Sequence, residues 1–215
     1  MSTAVIVERI AETSPRFKAR MAGALYLLSL LTASFGESFV QGRLAVAAGL
    51  IAASGMVFMT LILYDIFKPV NPGLSLLAAW FNLVGLSFEA LRWNPAGVDI
   101  ALVFAGFHCL LIGYLIFRST FLPRILGALM AIAGLVWVTY LSTPLANYLS
   151  PYNVAAGILG EGSVMLWLLA MGVAVQRWKD KAGTAGVGDR MQPRTFDSIT
   201  RNSIFRRKYG ITHCS

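Results

Sequence analysis

The sequence predicts an all-α, polytopic membrane protein: a bundle of six transmembrane helices with both termini on the cytoplasmic side. Three observations predict it. Apolar residues make up 57% of the 215 and the mean hydropathy is +0.67. Six long apolar runs lie between residues 21 and 175. Sixteen of the eighteen Lys and Arg residues fall in segments that alternate topology places on one side. A hydrocarbon core about 30 Å thick needs roughly 20 apolar residues per helix, and each run meets that length. Helices are required because lipid offers no partner for free backbone amides, and the runs lack the alternation of a barrel strand.

In chain order the spans are expected at residues 21–40, 44–67, 74–91, 100–117, 122–141 and 154–175. Gln41-Gly42-Arg43 separates the first two, and Lys68-Pro69-Val70-Asn71-Pro72-Gly73 turns the chain into the third. Asn94-Pro95-Ala96-Gly97 ends the third, residues 118–123 join the fourth to the fifth, and residues 144–153 precede the sixth. A basic cytoplasmic leader (residues 1–20) and a basic cytoplasmic tail (176–215), the tail read as disordered, flank this transmembrane domain. The competing reading of the first run is a cleaved signal peptide. A 20-residue leader is long for that purpose, and a signal anchor accounts for the same residues.

The net charge of +8 is unevenly placed: +2 in the leader, +6 in the tail and zero between. Beside a cytoplasmic leaflet the tail suits anionic lipid through Arg201, Arg206, Arg207 and Lys208 around Ile204 and Phe205, or is simply solvated. No stacking platform accompanies those charges, so a nucleic-acid partner is not expected. Cys109 (mid-membrane) and Cys214 (tail) cannot pair, and no cofactor motif or close-spaced metal-ligand pattern occurs. Tyr64-Asp65-Ile66-Phe67-Lys68 and Tyr114-Leu115-Ile116-Phe117-Arg118 hint at a tandem repeat of helical hairpins, which chance similarity between apolar helices also explains.

The ionisable groups inside the spans carry the functional interest. Charged side chains in a bilayer cost about 2.5 to 3.5 kcal/mol each, so they face the bundle or a wet cavity. From helix rise, Glu89 and Glu37 lie roughly 3 to 5 Å below the outer ends, Glu161 roughly 6 to 10 Å and His108 about 12 Å. Asn82 shares a stripe with Gly85 and Glu89, while Ala101, Ala105, Cys109 and Gly113 recur beside His108. Glu37, Asn82, Glu89, His108 and Glu161 are therefore the expected polar pocket, open to the outside, with Arg43, Arg92 and Asp99 at its rim. The plainer reading pairs Glu37 with Arg43 and Glu89 with Arg92, makes His108 and Glu161 a buried hydrogen-bonded pair, joins Asp65 to Lys68, and treats Trp93, Trp137, Trp178 and Tyr148 as interfacial anchors.

Residues 99–119, with Ala105-Gly106-Phe107-His108 and Tyr114-Leu115-Ile116-Phe117-Arg118-Ser119, followed by Phe121-Leu122-Pro123-Arg124-Ile125-Leu126-Gly127, resemble the core of the bacterial family known as Domain of Unknown Function 4386. Lys68-Pro69-Val70-Asn71, Glu161 and Leu166-Trp167-Leu168-Leu169 are similar to its other recurring elements. The resemblance covers about residues 19–177 and departs from the family between the first and second and between the third and fourth helices, where members carry longer segments. It implies a multi-pass protein of the bacterial cytoplasmic (inner) membrane and no particular activity. The residues favour transport or binding of a small solute, with Glu161 and His108 as a proton relay continued by Asn82, Ser29, Thr60 and Tyr64. The alternatives are a membrane-embedded enzyme acting on a lipid or amphiphile with His108 or Glu161 as base, and a non-catalytic scaffold or sensor.

Overall fold

The computed structural model describes residues 14–39, 42–92 and 94–191. Among them the chain is all helical: α1 (Pro15–Phe39), α2 (Arg43–Phe67), α3 (Pro72–Leu91), α4 (Ile100–Arg118), α5 (Arg124–Val138), α6 (Thr143–Leu149), α7 (Tyr152–Ala170) and α8 (Val175–Met191), with 3₁₀ turns at Pro95–Gly97 and Thr139–Leu141. Among the described residues, five helical segments are long and apolar enough to cross a membrane: α2, α3, α4, α5 with its 3₁₀ extension, and α7. The first apolar run lies in α1, 25 residues long, whose opening turns carry Arg16, Lys18 and Arg20.

Local chemistry sets the ends. Asn71 caps α3 by accepting from the Leu74 amide at 3.0 Å, with Pro72 in the first turn where its missing N–H costs nothing. Asp99 caps α4 through the Leu102 amide at 3.2 Å. Gly172 (φ 69°) closes α7, its amide reaching Trp167 O at 3.1 Å. The sixth run therefore ends at Ala170 rather than residue 175, and Glu161 is the tenth of nineteen residues in α7. By helix rise it lies roughly 13 Å from the start of α7, deeper than its sequence position suggested.

α1, α2, α3, α4, α5 and α7 form a ring: each packs on the next, and α7 closes against α1. Their outward faces are apolar, with Leu50, Leu61, Leu76, Ile125, Leu135 and Leu159 exposed, as a lipid-facing surface requires. Lipid is as apolar as leucine, so close backbone approach replaces hydrophobic burial as the source of cohesion. The α4–α5 seam illustrates this. A Cβ at Gly106 would lie 2.9 Å from Gly134 O, one at Gly134 2.8 Å from Gly106 O, and Gly113 and Gly127 repeat the pattern at 2.9 and 2.8 Å.

Three expectations are corrected. Residues 15–20 of the leader are the first turns of α1, and the tail expected to lack structure begins as α8; residues 192–215 lie outside the described residues. Asp65 pairs across helices with Lys18 at 2.6 Å instead of with Lys68, because α1 brings that ammonium to the end of α2. Trp178 belongs to packing, its indole donating to Ile66 O at 2.9 Å and tying α8 to α2. Trp93 lies outside the described residues, and Tyr148 is exposed.

Candidate functional site

The ring encloses a cavity of about 70 Å³ lined by all six of its helices. Its wall is mostly apolar and rich in methionine (Met56, Met59, Met130, Met165), with polar groups from Tyr26, Asn82, His108, Cys109 and Glu161.

Glu161 organises it. Tyr26 from α1 donates its hydroxyl to Oε2. Trp137 from α5 donates its indole N–H to Oε1 at 2.5 Å, and Cys109 from α4 donates its thiol to the same oxygen at 3.4 Å. A phenol, an indole and a thiol from three helices therefore converge on this one side chain and engage both of its oxygens. Small residues make the approach possible. A Cβ at Gly23 would meet Met165 O at 2.9 Å, so α1 lies close enough to α7 for Tyr26 to reach across, and Gly157 leaves room for the Trp137 ring.

His108 is buried and bonds Ala78 O through Nδ1 at 2.8 Å. A carbonyl can only accept, so Nδ1 carries a proton, and the neutral ring then has its lone pair on Nε2. Asn82 donates to Thr60 Oγ1 at 2.5 Å, and Thr60 in turn donates to Met56 O at 2.7 Å. His108 and Glu161 line the same cavity without bonding each other, among the described residues. Ser29 donates to its own helix at Leu25 O, and Tyr64 O accepts from Ser75, so only Thr60 of the expected inward extension joins a site residue.

Of the residues expected to form the pocket, the structure brings together Asn82, His108 and Glu161. Glu89 is exposed at the end of α3, where Arg92 (φ 49°) caps the helix by donating its amide to Glu89 O at 3.0 Å. Arg43 is exposed at the start of α2, and Asp99 caps α4 beside a second, more open pocket lined by Asn94, Tyr140, Thr143 and Asn147. The Glu37 side chain lies outside the described residues. No three His, Cys, Asp or Glu side chains converge on a metal-sized site among the described residues. Sequence reasoning missed Tyr26 and misassigned Trp137. Trp137 is buried over Glu161 rather than anchored at an interface. The available signal was Tyr26, a polar aromatic mid-run, three residues after Gly23.

No solved structure matches this chain. A curated uncharacterized protein of Archaeoglobus fulgidus is 29% identical over 127 residues, covering 54% of this chain and 76% of the relative. The profile of the family described as Domain of unknown function (DUF4386) matches residues 34–93 and 86–172, a region containing Asn82, His108, Cys109, Trp137 and Glu161. The chain belongs to that family.

Proposed function

We propose that the protein is a six-span integral membrane protein, both termini cytoplasmic, that binds a small solute in its central cavity and carries it across the cytoplasmic membrane. One observation carries this reading: a carboxylate from α7, held by donors from three other helices, lines a cavity to which all six ring helices contribute. Ionisable groups at such depth are expensive and mark solute or ion pathways. A sixth span in α1 is supported by its length and by its place in the ring between α2 and α7. The orientation is supported by Arg16, Lys18, Arg20, Lys68, Arg118, Arg124 and Arg177 at one end of the ring, against Arg43 and Arg92 at the other.

The test is a melting screen of the purified protein against cationic, anionic and neutral small solutes, followed by uptake into proteoliposomes. At least one solute should raise the melting temperature saturably and be taken up. Ala105→Leu, which adds bulk to the cavity wall, should lose both effects while keeping a cooperative melt. A solute response unchanged in Ala105→Leu would place binding elsewhere.

A further inference from the structure

We propose that the cavity recognises a small primary alkylammonium ion; this rests on reading the cavity as a solute site. The argument is an inventory of protons. Thr60 donates its hydroxyl hydrogen to Met56 O, so the same oxygen can only accept from Asn82. Asn82 must then present its NH₂ to Thr60 and turn its carbonyl oxygen elsewhere. Ala78 O fixes the ring proton of His108 on Nδ1, leaving a lone pair on Nε2. Among the described residues no hydrogen bond reaches Asn82 Oδ1 or His108 Nε2, though the two side chains are only 7% and 5% exposed and both line the cavity.

Glu161 adds a carboxylate whose partners are a phenol, an indole and a thiol, none of them cationic. The Lys18–Asp65 ion pair, at the far end of α2, is the one salt bridge among the described residues. Apart from the second amide hydrogen of Asn82, the free polar atoms of the cavity are therefore acceptors, and the Glu161 carboxyl, which has no cationic partner among the described residues, offers the matching negative charge to a cation that enters. A ligand that fits must bring N–H donors and a positive charge. A hard metal ion would need about six oxygen ligands, and the side-chain oxygens of the cavity come only from Glu161, Asn82 and the Tyr26 hydroxyl. The remaining wall, Met56, Met59, Leu63, Ile112 and Met130, suits a short hydrocarbon chain, and a cavity of about 70 Å³ restricts the ligand to a few heavy atoms.

The experiment is equilibrium binding of radiolabelled n-propylammonium to the full-length protein in lipid nanodiscs. Competitors are propionate (same size, opposite charge), n-propanol (neutral), tetramethylammonium (a cation without N–H) and sodium. Saturable binding is expected, uncompeted by these four and weakened about tenfold or more by Asn82→Leu and by Glu161→Gln, each of which removes an acceptor for a charged donor. Should Glu161→Gln fail to fold, Asn82→Leu and His108→Phe decide the matter. Absence of n-propylammonium binding, equal competition by tetramethylammonium or sodium, or unchanged affinity in the folded variants would overturn the ammonium assignment. If propionate or n-propanol binds instead and Ala105→Leu abolishes that binding, the cavity remains a solute site for another class. If no probe binds and Ala105→Leu melts as the parent does with every solute, both readings fall.

Discussion

Glu161 is held by one side chain from each of α1, α4 and α5, so a single carboxylate ties α7 to three other helices. Hydrogen bonds contribute about 0.5 to 1.5 kcal/mol each and up to about 3 where the acceptor is ionised, against roughly 0.6 kcal/mol for an average interhelical bond in a membrane. Trp137→Phe and Tyr26→Phe should therefore each destabilise the protein by about 1 to 3 kcal/mol, measured by unfolding in mixed micelles. In a double-mutant cycle with Glu161→Leu the losses should be strongly non-additive, because removing the acceptor removes what each donor contributes. Additive losses would mean that the aromatic rings stabilise through packing alone. Asn82, His108 and Glu161 were legible in the sequence because a polar group in an apolar run is conspicuous on cost. Tyr26 and Trp137 were not, because aromatic residues also serve at membrane interfaces, and only the rotation of each helix shows which role applies.

The same rotational ambiguity operates on whole elements. The sequence displays Ala101, Ala105, Cys109 and Gly113 at four-residue spacing, which reads as a single packing stripe along α4. In the fold that stripe divides: Ala105 and Cys109 line the cavity, while Gly113 turns to α5 together with Gly106, seven residues earlier. The partners Gly127 and Gly134 are also seven apart and pair in reverse order, which makes the seam antiparallel. Seven-residue spacing is what two helices crossing at a shallow angle need to stay in register. Gly113→Val and Gly134→Val should therefore separate α4 from α5 and abolish a cooperative melt, since the clash is with backbone, which cannot rotate away. Gly162→Ala, in the same bundle but with open space around its would-be Cβ, should be neutral or stabilise by up to about 1 kcal/mol. Thermal melting of the three variants in one detergent decides between seam and surface.

At the scale of the molecule, the run lengths and punctuation were enough to place the long apolar helices α2, α3, α4, α5 and α7, because bilayer thickness fixes what a span must be, but not the short α6 or the polar α8. Their closure into a ring was not legible, since that α7 returns to α1 depends on contacts such as Gly23 against Met165 and Leu169, which no local pattern announces. The cavity is a consequence of that closure. It lies at mid-depth, with Trp137 over Glu161 near the Thr139–Leu141 end of α5 and Leu63 and Ile112 toward the opposite end. Orientation gives these two ends their meaning, and it is testable without a ligand. Reporter fusions after Arg118 and after Met191 should be active only for a cytoplasmic partner, and fusions at Asn94 and Asn147 only for an external one, because basic residues near helix ends resist translocation. A reporter at the N-terminus, compared with the one after Met191, discriminates most sharply: six spans put both on the same side, whereas five spans, with α1 lying outside the bilayer, put them on opposite sides. An external reading after Met191 together with a cytoplasmic one after Arg118 would contradict both arrangements, since only α5 and α7 separate those two points and a pair of crossings restores the original side.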